Sequence, residues 1–207
     1  MYADDQPALA AFARHPAGLA RVIQFAGLSA RVRFYNVPAM LQYAADGGRE
    51  SMGALYGWKA GLFACAWNDR DAIHWHCQDA LDHADKPADR LLAYLTRAVP
   101  GLGLVKAGFV CQMAFGLSGC LDTHNLTRLG YSARHFEHLR IKRKDNGVSL
   151  AKIARTTASY NAAIEAAGGT AHLWDTWCAL IADLYPAAFP DGADQVSKQH
   201  HCILDGR

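Results

Sequence analysis

Asp122, Thr123 and His124 stand in the run Leu121-Asp122-Thr123-His124-Asn125, just past a short Gly/Ser stretch. A carboxylate there can act as a base or stabilise developing positive charge. Asn125 is a candidate polar contact beside it. Upstream, Pro100-Gly101-Leu102-Gly103 opens an apolar helix over about 104–115 that carries Lys106. A glycine-rich turn before a helix lets backbone amides approach an anion and leaves the positive helix N-terminus facing it. Together these residues point to an enzyme that grips a nucleic-acid phosphate backbone and works on a nearby base. Asp122 is also an ordinary helix N-cap, and the two roles are compatible.

The elements that must position these groups read as helices. The chain has 207 residues, 51% of them hydrophobic, enough for a substantial core. Short helical patterns run through the N-terminal stretch, with breaks expected at Pro16, Gly18, Gly27 and Pro38. Residues 50–67, 71–84 and 87–98 read as helices, the last with Pro87 in its first turn. A loop over 116–120 leads to a helix starting near Thr123. Ser132 is a candidate cap for a short helix over about 133–140, and Ser149 for one over 150–167, ended by Gly168-Gly169. A final helix over 171–185 stops at Pro186, and the tail is expected to be irregular. No alternating strand series is evident. The expected fold is all-α, a single unit over 1–207 formed of two helical lobes with a groove between them.

Charge and cysteine usage narrow the classes. The formal net charge is only +2, but residues 128–155 hold eight Lys/Arg against Glu137 and Asp145. That local excess suits a polyanion, while a solvated surface is the plainer explanation. Lys142, Arg143 and Lys144 are its densest part, a turn expected to touch DNA backbone. Six cysteines are scattered without a Cys-x-x-Cys, so neither a zinc ribbon nor an iron–sulfur cluster is expected. No signal-like segment or membrane span is evident, which places the protein in a reducing cytoplasm. His74-x-His76-Cys77 and His200-His201-Cys202 have the composition of metal ligands. Their spacing does not match a paired motif, and no metal or cofactor is expected.

The stretch VPGLGLVKAGFVCQMAFG, followed by CLDTHNLTRLG, resembles the helix-hairpin-helix and Gly/Pro-Asp core of the endonuclease-III-like DNA glycosylase superfamily. The resemblance covers about 34 residues, 97–130. It implies that Gly101, Leu102 and Gly103 form a DNA-phosphate turn and that Asp122 matches the family's essential aspartate. Thr123 and His124 match the residues that follow it, and Arg128-Leu129-Gly130 matches the closing Arg-Leu-Gly. Departures are informative. Where lyase members carry their lysine, this chain has Val105, and Lys106 one residue on should point elsewhere, toward a phosphate. The loop before Asp122 is slightly short, and the C-terminal four-cysteine cluster is absent.

These departures are similar to those of the bacteriophage amino acid:DNA transferases, which share the glycosylase fold without cutting the base. Leu173-Trp174-Asp175-Thr176-Trp177-Cys178 also looks like that branch. The resemblance implies duplex DNA and a free amino acid, such as glycine, as partners in the host cytoplasm, with replacement of the phosphate of 5-phosphomethyl-uracil. Lys106, Arg128 and Arg49 are candidate cations for that phosphate and for the amino acid carboxylate. A monofunctional glycosylase and a non-catalytic DNA-binding module are the alternatives. Trp174 and Trp177 read as core, with base stacking as the minor alternative. Tyr35, Asn36 and Gln42 follow Arg31-x-Arg33 and have no fixed role.

Overall fold

The computed structural model describes residues 1–45, 57–132 and 150–204. Every regular element among them is helical, so the fold is all-α. Helices α1 (Tyr2–Ala13) and α2 (Pro16–Leu28) are followed by a 3-10 turn (Phe34–Asn36) and α3 (Val37–Ala45). Then come α4 (Gly57–Asn68), α5 (Arg70–His83), α6 (Pro87–Ala98) and α7 (Leu104–Phe115). The chain continues through α8 (Thr123–Arg128), α9 (Leu150–Ala166) and α10 (Gly169–Leu184). It closes with α11 (Ala193–Ser197), a second 3-10 turn (Lys198–His200) and α12 (His201–Leu204).

α2 is the central helix. Apart from Arg21, every residue from Gly18 to Leu28 is buried, because α1, α4, α5 and α7 all pack on it. A helix apolar all round belongs in a core. Pro16 does start α2, after extended His15. Gly18 and Gly27 do not break it. A Cβ on Gly18 would overlap the Phe12 carbonyl, and one on Gly27 would press into Leu62. Glycine inside a helix costs about 1 kcal/mol against alanine; close approach of α1 and α4 offsets that. Pro38 likewise sits in the first turn of α3 rather than ending a helix.

The stripe Leu91, Leu92 and Leu95 of α6 faces the core, and α7 is buried along most of its length. Both helices have the expected bounds. α9 and α10 lie within two residues of their expected ranges. The tail is a correction. In place of irregular chain it forms α11, a 3-10 turn and α12, which bury Val196, His200 and Ile203. Each piece is one turn or so, too short to show a period. Arg49, Lys142, Arg143, Lys144 and the caps expected at Ser132 and Ser149 bear on segments that lie at least partly outside the described residues. Among the described residues no helix is long and apolar enough to cross a membrane.

Candidate active site

The hairpin turn joins α6 to α7. Leu102 N–H donates to the Val99 carbonyl at 3.2 Å and closes it. Gly101 has φ +77°, and a Cβ there would also overlap the Trp58 ring. Two independent constraints therefore require glycine. Gly101 and Gly103 are exposed, while Leu102 between them is buried and anchors the turn. Gly103 caps α7, its carbonyl accepting from Lys106 N at 3.0 Å and Ala107 N at 2.9 Å.

α7 ends at Gly116, in the left-handed region, with Leu117 N–H returning to the Cys111 carbonyl at 3.2 Å. This is the bond pattern of a glycine-terminated helix. The loop that follows is pinned from α9. Buried Tyr160 donates its hydroxyl to the Gly119 carbonyl and accepts from Leu121 N–H, both at 3.0 Å. Ser118 donates to Asn161 Oδ1 at 2.6 Å, and Asn161 Nδ2 donates to Asp89 Oδ1 at 2.6 Å. Gly108 lets α7 lie directly against this loop; a Cβ there would overlap the Gly119 carbonyl.

Asp122 stands where the loop becomes α8, and both its oxygens are engaged. Oδ1 accepts from Asn125 N–H at 2.9 Å, which makes Asp122 the N-cap of α8. Oδ2 accepts from the Trp177 indole N–H of α10 at 3.0 Å. Asn125 is buried, its Nδ2 donating to the Cys120 carbonyl at 2.7 Å, with Arg128 Nη2 at 3.4 Å from its Oδ1. Burial, then the Asp122 charge, pushes the Cys120 thiol up to about 12.

Asp122 borders a cleft of about 830 Å³. Phe34, Phe109, Trp174 and Trp177 line one wall. Phe34 meets Trp177 edge-on at 4.8 Å between centroids, and Trp174 stacks on Phe109 at 5.7 Å and on Trp177 at 5.9 Å. Cations occupy another part. Lys106 Nζ donates to Ser29 Oγ at 2.8 Å and lies 5.3 Å from the Phe109 ring centre. Arg31 and Arg33 line the cleft and are exposed; Arg33 Nη1 donates to the Tyr35 hydroxyl at 2.8 Å. Arg31 has φ +59°, a left-handed conformation that costs a non-glycine residue roughly 1–2 kcal/mol. Behind them Lys59 is fully buried, its Nζ donating to the Leu28 carbonyl at 3.0 Å. Burial and then the Lys106 charge push its pKa down to about 8.

The cleft thus brings together Asp122, Thr123, His124, Asn125, Lys106 and Gly103. Gly101, Leu102 and Arg128 are not on its wall. Lys106 departs from expectation: it borders the cleft together with Val105. Both belong to the first turn of α7, where a wide opening spans adjacent positions and a long side chain covers the angular difference. Sequence reasoning missed the bond from Trp177 to Asp122, the placement of Arg31 and Arg33, and buried Lys59. The one available signal was the Trp174/Trp177 spacing, which puts both rings on one face of α10.

No family model, no curated protein and no solved structure matches this chain.

Proposed function

We propose that this chain is a DNA base-modifying enzyme, and that its activity is transfer of an amino acid, glycine foremost, to 5-phosphomethyl-uracil in duplex DNA. The reading is carried by one observation. Asp122 is held from both sides at a cleft whose other charged groups, Lys106, Arg31 and Arg33, are cationic.

The chemistry is a substitution. The neutral amino nitrogen attacks the exocyclic methylene carbon. A C–N bond forms, the C–O bond to phosphate breaks, and inorganic phosphate leaves. Asp122 takes the amine proton, and His124 stands beside it on the cleft wall. Lys106, Arg31 and Arg33 receive the departing phosphate and the amino acid carboxylate, the arginines by bidentate geometry. A flipped base stacks on the aromatic wall. Gly101, Gly103, Thr123 and Arg128 meet the strand's phosphates, joined by Lys142, Arg143 and Lys144 from the chain outside the described residues. This reaction needs no cofactor.

Nucleoside mass spectrometry tests it, on duplex DNA bearing 5-phosphomethyl-uracil incubated with a mixture of amino acids. Loss of phosphate with gain of one amino acid, abolished in Asp122→Asn, is the expected result. Free base and an abasic site identify a glycosylase instead. Salt-dependent DNA binding with no product from either protein leaves a binding module.

A further inference from the structure

Behind the cleft wall, on the other side of Trp174, α1 meets the segment from α11 to α12 at Asp5, His200 and His201. One ligand atom from each, a carboxylate oxygen and two ring nitrogens, lie within 4.8 Å of one another. His201 Nε2 is 3.2 Å from Asp5 Oδ1. That is close to the spacing of two donors on one tetrahedral ion with bonds of about 2.0–2.1 Å.

An ion pair between Asp5 and His201 accounts for His201. It does not account for His200. That ring is 1% exposed, and neither of its nitrogens has a hydrogen-bond partner among the described residues. The Ser197 backbone lies near the ring, yet neither ring nitrogen makes a hydrogen bond with it. Buried polar side-chain atoms nearly always find a partner, so a wholly unsatisfied imidazole asks for one.

The surroundings resemble the support a metal ligand receives. Trp174 Nε1 donates to Ser197 Oγ at 2.9 Å, and Ser197 donates to Asp5 Oδ2 at 2.8 Å. The relay fixes the carboxylate and leaves Oδ1 facing His201, as outer partners orient ligating groups. His201 is half-exposed, which leaves a path in and a position for water.

We propose that Asp5, His200 and His201 bind a divalent first-row transition ion, with water completing the coordination. Two imidazoles and one carboxylate suit zinc, cobalt or nickel and disfavour magnesium or calcium. The site is separate from the DNA reading and runs against the expectation that His200 and His201 hold no metal. It would tie α1 to the second 3-10 turn and α12 directly behind Trp174, whose ring centre is 6.0 Å from that of His200.

The test uses the untagged full chain, stripped of metal by a chelator and titrated calorimetrically with Zn²⁺, with Co²⁺ as an optical probe. One equivalent should bind, and the Co²⁺ adduct should show visible bands of nitrogen and oxygen ligation. Binding should weaken at least tenfold in Asp5→Asn and in His201→Gln, both at residues that are not fully buried. Thermal stability should rise with Zn²⁺ and fall back with EDTA. Absence of a Co²⁺ spectrum and of binding heat under metal excess would overturn the proposal. So would affinity unchanged in both variants.

Discussion

The two sides of the cleft are built differently. On the carboxylate side the loop and the carboxylate are held by neighbours in fixed geometry. Tyr160 and Asn161 of α9 hold the loop, Asn125 holds its end, and Trp177 holds the carboxylate itself. On the cation side the hydrogen bonds seen among the described residues go to neutral partners. Lys106 leans on a serine hydroxyl, Lys59 on a backbone carbonyl and Arg33 on a tyrosine hydroxyl, while Arg31 sits in a strained backbone conformation. A carboxylate fixed in advance suits a group that must meet a reacting atom. Positive charge set on neutral partners suits an anion that arrives and departs.

The largest expected effect breaks the fixed side at its chemical centre. Asp122→Asn keeps one oxygen for the N-cap bond but leaves the Trp177 indole N–H facing an amide NH2, so the fold should persist with a stability loss of about 1–3 kcal/mol. Product formation should fall by roughly 10²–10⁴-fold, the usual worth of a positioned base. A variant that unfolds, or one that keeps full activity, would contradict this division of roles.

Gly108→Ala strikes the same side through its backbone. The new methyl meets a carbonyl, which cannot rotate away, so a loss of about 1–3 kcal/mol or more is expected in denaturant unfolding. Tyr160→Phe is milder. It leaves the Gly119 carbonyl and the Leu121 amide without their buried partner, for a loss of about 1–3 kcal/mol. An unchanged unfolding midpoint in either variant would show that the loop is not held as described.

The smallest effect sharpens the cation side. Lys106→Met removes the positive charge that helps depress Lys59, so the Lys59 pKa should climb from about 8, as read from carbon-13 chemical shifts of its Cε. Only part of the depression should vanish, because burial is the larger cause. The folded lysine releases its proton at about 8, while the unfolded chain keeps it until near 10.5. Between those values the unfolded state binds more protons, so this group adds stability as pH rises through the window. Lys106→Met should narrow the window, and no shift at all would separate the two amines.

Local chemistry was legible in the sequence and long-range chemistry was not. Pro87, Gly103, Gly116 and Asp122 punctuate the chain through their own backbone preferences, so α6, α7 and the start of α8 were readable within their own residues. Gly18 and Gly27 misled because the same lack of a Cβ that breaks helices also lets two helices touch. Which of the two applies depends on Phe12 and Leu62, and no local pattern reveals that. The Trp177–Asp122 bond joins residues 55 apart, and the Asp5–His201 contact joins residues 196 apart. Such pairs exist only once the helices are assembled.

The indole that holds Asp122 is also a chromophore. Trp177 is half-buried at the cleft wall, hydrogen-bonded to a carboxylate and stacked on Trp174. Anything that enters the cleft changes the polarity around that ring, and a stacked base drains its excited state. The protein therefore carries an optical gauge of its own occupancy, readable in real time without a label. Trp177→Phe marks which part of the emission belongs to it.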